Sequence, residues 1–401
     1  MSEPNVVILL IVIATAVALI TRRIPVPYTV ALVVVGITLG AFHFIDAPRL
    51  SRALLFAVFL PGLVFEAAFH LPWSDLRRNS GVITALAVPG VIVSIALTAA
   101  ALMLLGRWAA PDTAFGWRQA LVFGAVVAAT DPIAVVSLVR SLGAPRRLAL
   151  LLEAESLLND GTAIVFLGLV LLATTSAPVG GVAMTIVFLR TVGLGAAVGV
   201  AFGAGASLLT RTIDEAVIEI TLTVIAAYGS FVVADQLGGS GVIATVVAGV
   251  VTGNYGVRSA MSPSTRAAAQ SFWAYVAFLL NSIVFLLIGF EVHLPALRHR
   301  LPLIVAALAA GWASRTIVVG CVVAGAASTG ERMPRSWIAP LMWGGLRGAL
   351  SMVLALSLPG DFAGRDLIIT ITFGFVVLSI LLQGTTMAPL LRYAGLTERK
   401  E

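Results

Sequence analysis

Glu155, Ser156, Asn159 and Asp160 form a polar group inside an apolar run at residues 148 to about 172. A run of that length can cross a bilayer as one helix. On a helix, Glu155 and Asn159 are one turn apart, and so are Ser156 and Asp160, so the four side chains share one face. Ionisable groups are costly inside a membrane unless they face protein, water or an ion. Carboxylate, amide and hydroxyl oxygens suit hard cations. The motif therefore predicts a cation site, with a buried polar contact between helices as the alternative.

The composition indicates a polytopic helical membrane protein. The chain has 401 residues, of which 59% are hydrophobic and 11% are charged, with a mean hydropathy of +1.05. Water-soluble domains do not have this composition. The formal net charge of +6 does not indicate a nucleic-acid partner, because the basic residues lie singly or in pairs between apolar runs. The single cysteine, Cys321, excludes an intrachain disulfide and a metal cluster of cysteines. The sequence contains no nucleotide-binding motif, and we expect no cofactor.

Thirteen apolar runs are candidate transmembrane helices, so the predicted fold class is an all-α polytopic membrane protein. The fifth run contains a proline, and the twelfth contains three glycines around an arginine, so both helices are expected to be interrupted. The runs cover residues 5–20, 28–44, 53–69, 81–105, 119–142, 148–172, 182–209, 216–237, 242–253, 271–289, 302–326, 336–357 and 367–391.

Basic residues between the runs predict the orientation of the chain. With an odd number of spans, the two termini lie on opposite sides of the membrane. Fifteen arginine and lysine residues outside the runs fall on the side of the C-terminus, and seven fall on the other side. By the positive-inside rule, the C-terminus is expected in the cytoplasm and the N-terminus outside.

The third and tenth runs end in similar sequences. Phe65-Glu66 is followed shortly by His-Leu-Pro, and so is Phe290-Glu291. Runs seven apart cross the membrane in opposite directions, and the same offset pairs the fifth run with the twelfth. Chance similarity at membrane edges is the alternative. The pattern predicts two inverted six-helix repeats with discontinuous helices, at residues 1–180 and 211–401, joined by a linker helix at 181–210.

The interrupted runs carry charges that need compensation. In the fifth run, Thr130 and Asp131 precede Pro132. Proline removes a backbone donor and disfavours helix before it, so freed carbonyls and the Thr130 hydroxyl can face a cation. Asp131 can compensate the positive N-terminal end of the following half-helix, as a cap or as part of a site. In the twelfth run, Arg347 needs a half-helix C-terminus or a carboxylate as its partner.

Two further positions complete the candidate residues. Arg315 lies within the eleventh run and requires an anionic partner. Glu155 is the best candidate for that partner, because Asp160 would be lost as a ligand if it were permanently paired. Glu66 lies near the end of the third run, where it is either an interfacial carboxylate or a secondary lining group.

These motifs, in this order, resemble the cation/proton antiporter-1 family, the prokaryotic sodium/proton antiporters related to animal sodium/hydrogen exchangers. The likeness rests on Thr130-Asp131-Pro132, residues 155–161, Arg315 and residues 345–349, and it covers nearly the whole chain. The resemblance implies thirteen spans with crossed half-helices, a homodimer in the membrane lipid of a prokaryotic cell, and a role in pH homeostasis.

The resemblance also implies a role for each candidate residue. Asp160 would bind the sodium ion and the proton in turn. Thr130 and Ser156 would be further cation ligands, and Glu66 would contribute at a distance or through water. Asp131 would balance the crossed half-helix ends. Glu155 and Arg315 would form a structural ion pair.

We therefore expect an antiporter and not an enzyme. A single Asp160 carboxylate can hold one sodium ion or one proton but not both, so the two ions compete for it. Asn159 beside it cannot titrate, and the resemblance to family members with an Asn-Asp pair implies electroneutral exchange. Sodium, lithium and potassium share the same ligands, and potassium/proton exchange is the first alternative. An uncoupled cation channel or ion sensor is the second. An intramembrane protease is disfavoured, since the sequence has no His-Glu-x-x-His motif and no histidine at mid-span.

Overall fold

Helices account for the regular structure of the described residues. The computed structural model describes residues 3–24, 26–42, 54–109, 115–131, 133–175, 180–257, 261–292, 294–328 and 333–397. Within these residues every regular element is helical, which confirms the predicted all-α class. In a bilayer a chain cannot hydrogen-bond its backbone to water, and a helix satisfies those groups within one segment.

The helices are numbered in chain order. Their bounds are α1 Glu3–Thr21, α2 Tyr28–Ala41, α3 Leu55–His70, α4 Trp73–Arg78, α5 Ser80–Ala109, α6 Trp117–Val126, α7 Ile133–Ser141, α8 Arg146–Thr175, α9 Gly181–Thr210, α10 Ala216–Gln236, α11 Gly241–Gly256, α12 Pro263–Phe290, α13 Leu294–His299, α14 Leu301–Ser328, α15 Ile338–Trp343, α16 Ala349–Leu356 and α17 Arg365–Tyr393.

Each predicted run coincides with one helix or with a pair of half-helices in the described part of the chain. Seven of these helices are long and apolar enough to cross a membrane, namely α5, α8, α9, α10, α12, α14 and α17. Four shorter apolar helices correspond to α1, α2, α3 and α11. The fifth and twelfth runs are the pairs α6/α7 and α15/α16. The short helices α4 and α13 lie between runs and were not predicted.

The chain forms two compact units. The first comprises Met1–Arg52, Thr84–Asn159 and Ser282–Glu401, and the second comprises Ala53–Ile83 and Asp160–Asn281. Each unit takes segments from both halves of the sequence. The units are therefore different divisions of the chain from the two predicted repeats, and the inverted repeats stay a prediction about topology.

The first unit contains both interrupted helices and the first half of α8. Its packing includes Phe123 of α6 against Phe375 of α17, with ring centroids 6.0 Å apart in an edge-to-face arrangement. Ser314 of α14 lies 3.0 Å from the hydroxyl of Ser94 on α5 and also donates to the Ser94 carbonyl. Apolar packing and interhelical hydroxyl contacts of this kind hold the elements that carry the candidate residues.

The second unit is packed around a buried tryptophan. Trp273 of α12 lies 4.6 Å from the ring of Phe65 on α3, and its indole N–H donates to Thr223 of α10 at 2.9 Å. Tyr228 of α10 donates its hydroxyl to the Val58 carbonyl of α3 at 3.0 Å. Tyr228 therefore links α10 to α3.

Candidate functional site

The first interruption separates α6 from α7. The α6 helix ends at Val126, and α7 begins at Ile133 after Pro132, which lies outside the described residues. The carboxylate of Asp131 accepts a hydrogen bond from the backbone N–H of Ile133 at 3.1 Å. A carboxylate at this position satisfies one of the open donors of α7 and opposes the positive end of its dipole. Asp131 thus caps the second half-helix.

The second interruption separates α15 from α16. The α15 helix ends at Trp343 and α16 begins at Ala349. The backbone N–H of Asp131 donates to the Leu346 carbonyl at 2.7 Å, so the two interruptions are joined directly. A Cβ atom at Gly348 would overlap the Asp131 carboxylate. Glycine at position 348 is therefore what allows the two backbones to approach this closely.

Arg347 compensates the carbonyl end of α6. Its side chain is buried, with 4% exposure, and one terminal nitrogen donates to the carbonyls of Ala128 at 2.6 Å and Ala129 at 3.1 Å. These carbonyls lie two and three residues beyond Val126, the last residue of α6, next to the negative end of its dipole. Of the two partners expected for Arg347, the structure contains the half-helix end. Positive charge meets the end of α6, and negative charge from Asp131 meets the start of α7.

The polar face of α8 binds the same interruption. Ser156 donates its hydroxyl to the Thr130 carbonyl, and the Asn159 amide donates to the Ala128 carbonyl at 2.9 Å and to the Thr130 hydroxyl at 3.2 Å. The sequence suggested that freed carbonyls face a cation. In this structure the carbonyls of residues 128–130 accept hydrogen bonds from protein side chains, which satisfies groups that would be costly to bury alone. Their contact with a cation stays a prediction.

Glu155 and Arg315 form a buried bidentate ion pair. One terminal nitrogen of Arg315 donates to Glu155 Oε2 at 2.7 Å, and the other donates to Oε1. The Glu155 side chain is 2% exposed and the Arg315 side chain is 9% exposed. Arg315 also donates to the Leu341 carbonyl at 3.0 Å. The partner chosen for Arg315 from the sequence is the one found. The pair joins α8 to α14 and reaches the last turn of α15.

Asp160 directly follows Asn159 on α8 and is half-buried. It lies one helical turn after Ser156, so the two side chains share a helix face. Within the described ranges, no group of three or more His, Cys, Asp or Glu side chains could hold a metal ion.

Glu66 contacts a histidine on its own helix. The half-buried Glu66 carboxylate lies 3.2 Å from His70 Nδ1, and that nitrogen also lies 2.9 Å from the Glu66 carbonyl. The two side chains are one turn apart on α3, in the second unit. This contact was not predicted, although the i,i+4 spacing of Glu66 and His70 is a signal for it.

Three buried residues at the interruptions were not assigned to the site from the sequence. Ser351 lies 3.4 Å from the Ala129 carbonyl, Ser379 contacts the backbone N–H of Arg347, and Gln383 contacts the Trp343 carbonyl. The Gln383 contact links α17 to the last residue of α15. The available signal was the i,i+4 spacing of Ser379 and Gln383 within an apolar helix.

Comparison with known proteins gives a consistent result over almost the whole chain. Residues 7–393 match the family model described as "Sodium/hydrogen exchanger, transmembrane". The low-affinity Na(+)/H(+) antiporter NhaS1 of Synechocystis sp. is 38% identical over 93% of this chain and 71% of its own length. The Na(+)/H(+) antiporter NhaH of Halobacillus dabanensis is 34% identical over 97% of both chains.

The fold is similar to that of a solved archaeal structure. The sodium proton antiporter MjNhaP1 from Methanocaldococcus jannaschii aligns with a TM-score of 0.79 over 98% of this chain and 99% of that chain, at 20% identity. At this level of identity the likeness establishes the shared fold.

Proposed function

The chain belongs to the sodium/hydrogen exchanger family, and we propose that it exchanges sodium ions for protons across a prokaryotic cell membrane. Relatives named as sodium/proton antiporters, which are 34–38% identical over most of the chain, support this substrate pair. The family consists of transporters, so the chain is a secondary transporter and not an enzyme.

Competition between the two ions for one carboxylate supplies the coupling. A deprotonated Asp160 can hold a cation, whereas a protonated Asp160 has lost the charge that would hold it. If the protein moves between inward- and outward-facing states only when Asp160 is neutralised, exchange is obligatory. The opposing ion gradients then supply the energy for alternating access.

The observation that supports Asp160 as the ion-binding residue is that the neighbouring carboxylates, Glu155 and Asp131, already have structural partners. Glu155 is held by both terminal nitrogens of Arg315. Asp131 accepts the backbone N–H of Ile133 at the start of α7. Both charges balance fixed features of the first unit, and removing either would leave a buried charge or dipole uncompensated. We therefore assign the transported ions to Asp160.

Neutral oxygens complete the proposed ligand set. Ser156 precedes Asp160 by one turn of α8, and Thr130 accepts hydrogen bonds from both Ser156 and Asn159. Carboxylate and hydroxyl oxygens suit hard cations, and the names of the relatives favour sodium, so we propose sodium, and lithium with the same ligands, as substrates. Glu66 is the additional carboxylate of the second unit, and we propose that it acts through water.

The remaining expectations concern the protein in its membrane. We propose that the C-terminus is cytoplasmic and the N-terminus outside, on the basis of the arginine and lysine distribution. We further propose a homodimer surrounded by membrane lipid, consistent with the family resemblance.

Cation-driven proton movement in everted membrane vesicles tests the function. Vesicles are acidified by respiration, and a fluorescent probe reports the pH difference after each cation is added. Sodium and lithium should restore fluorescence in vesicles that contain the protein and not in vesicles that lack it. A response to potassium alone would replace the proposal with potassium/proton exchange. Sodium uptake without proton movement would indicate a channel.

A further inference from the structure

Two polar side chains of α17 lie against the second interruption. Ser379 and Gln383 are one turn apart and are 0% and 1% exposed, inside a helix that is otherwise strongly apolar. Buried polar groups in such a helix are retained where they have defined partners. Their partners are the two ends of the segment between α15 and α16.

The contacts form a continuous chain of hydrogen bonds. The Gln383 amide donates to the carbonyl of Trp343, the last residue of α15, at 2.8 Å. Ser379 and the Gln383 amide oxygen are 2.5 Å apart. The backbone N–H of Arg347 donates to the Ser379 hydroxyl at 3.2 Å. One pair of side chains therefore holds both ends of the interruption.

The chemistry of the groups fixes the direction of each bond. The Trp343 carbonyl can only accept, so the amide nitrogen of Gln383 faces it and the amide oxygen faces Ser379. The Ser379 hydroxyl donates to that oxygen and uses a lone pair to accept the Arg347 N–H. Each group satisfies a buried hydrogen-bonding group that would otherwise lack a partner, so the loss of one bond weakens the others.

Arg347 connects this chain of bonds to the polar face of α8. Its side chain donates to the carbonyls of Ala128 and Ala129, and Asn159 donates to the same Ala128 carbonyl. Asn159 also donates to the Thr130 hydroxyl. The position of the Arg347 backbone therefore influences where the carbonyls that follow α6 lie. Through Asn159 it also influences the position of the Thr130 hydroxyl, a proposed cation ligand.

We propose that Ser379 and Gln383 are positioning residues that hold Arg347 and thereby set the affinity of the cation site. They do not contact the transported ion in this proposal. The inference rests on the proposed function, because Thr130 and Ser156 are taken as cation ligands. The affinity for sodium thus depends on a pair of side chains on α17.

Substitution of each residue should change the affinity for sodium more than the maximal rate. Ser379→Ala removes both bonds of the hydroxyl, and Gln383→Leu leaves the Trp343 carbonyl unsatisfied. Each is expected to raise the KM for sodium about tenfold, as the loss of one buried hydrogen bond would. Ser379→Thr keeps the hydroxyl and should retain the KM of the wild type.

Thr385→Val is the matched control on the same helix. Its hydroxyl donates to the carbonyls of Leu381 and Leu382 within α17. It is exposed, two residues from Gln383, and contacts neither interruption through these bonds. Its KM should equal that of the wild type, so an equal rise in this variant would contradict the proposal.

Sodium-dependent thermal stabilisation of the purified protein provides a second measurement that does not need transport. Sodium should stabilise Ser379→Ala and Gln383→Leu only at about tenfold higher concentrations than the wild type. A lower melting temperature with unchanged sodium dependence and unchanged KM would show a merely structural role and overturn the proposal. If the wild type shows sodium stabilisation but no proton exchange, the proposed function fails, and the sodium dependence of the variants still decides the positioning role.

Discussion

At the scale of single residues, charge is matched to geometry. Arg347 lies against the carbonyl end of α6, and Asp131 lies at the N-terminal end of α7. A helix end presents a partial charge of about half a unit, so each full charge over-compensates its own helix end and the remainder must be balanced nearby. The opposite charges at the two ends of one interruption provide that balance.

Asp160→Asn is expected to abolish sodium/proton exchange while the protein stays folded, because it removes the charge that both ions share. The measurement is sodium-driven proton flux in vesicles, together with the melting temperature of the purified protein. Asp366→Asn is the control, because the Asp366 side chain is 98% exposed and pairs only loosely with Arg365 at 3.6 Å. Substantial flux in Asp160→Asn would refute the assignment.

Arg315→Ala is expected to destabilise the protein by about 3–5 kcal/mol, because it leaves the buried Glu155 charge without its partner. The combined Glu155→Ala and Arg315→Ala variant should lose less stability than the two single losses added together. Arg140→Ala is the control. Its pair with Glu153 is largely exposed at the arginine and should cost only about 0–1 kcal/mol. Thermal or denaturant unfolding of the four variants measures the difference.

Equal losses of stability in Arg315→Ala and Arg140→Ala would contradict the importance of burial. Fully additive losses in the double variant would show that Glu155 and Arg315 act independently. Either result would remove the pair from the structural account of the first unit.

At the scale of elements, the sequence predicted the interruptions but not how they meet. Proline and glycine act on their own backbone, so Pro132 and the glycines at residues 344–348 could be interpreted locally. The bond from the Asp131 N–H to the Leu346 carbonyl joins positions far apart in sequence. Such a contact depends on tertiary packing, which no local pattern specifies.

The same distinction explains which polar contacts were found. The pairing of Glu155 with Arg315 followed from charge, since two opposite charges inside a membrane need partners. The contacts of Ser379 and Gln383 involve uncharged groups and backbone atoms, for which the sequence offers many equivalent choices. Charge therefore constrained the site from sequence, and neutral hydrogen bonding did not.

Gly348→Ala should disrupt the junction of the two interruptions. A Cβ atom at position 348 would overlap the Asp131 carboxylate, so one of the two backbones must move. Overpacking of this kind costs about 1–3 kcal/mol, and displacement of Asp131 should also lower the exchange rate. Gly360→Ala is the control, because nothing lies within 4 Å of its added Cβ. Melting temperatures of the two variants test this, and equal values would show that the close approach at position 348 is not required.

At the scale of the whole molecule, the charges carried in each direction determine whether transport moves net charge across the membrane. The transported charge depends on how many carboxylates can carry a proton between the two sides of the membrane. Glu155 is paired with Arg315, and Asp131 is bonded to the start of α7. Asn159, which precedes Asp160, has a neutral amide side chain that does not ionise and so carries no proton across the membrane. One cation therefore displaces one proton in the proposed cycle.

An electroneutral cycle should be insensitive to the membrane potential, because moving one cation inward and one proton outward transfers no net charge. Liposomes containing the purified protein are clamped with potassium and valinomycin, after potassium is shown not to be a substrate. The rate and the equilibrium position of sodium/proton exchange should then be the same at each imposed potential. If a potential drives exchange in either direction, a second carboxylate carries protons. Asp131→Asn and Glu155→Gln in the same liposomes would identify it, since only removal of that carboxylate should abolish the voltage dependence.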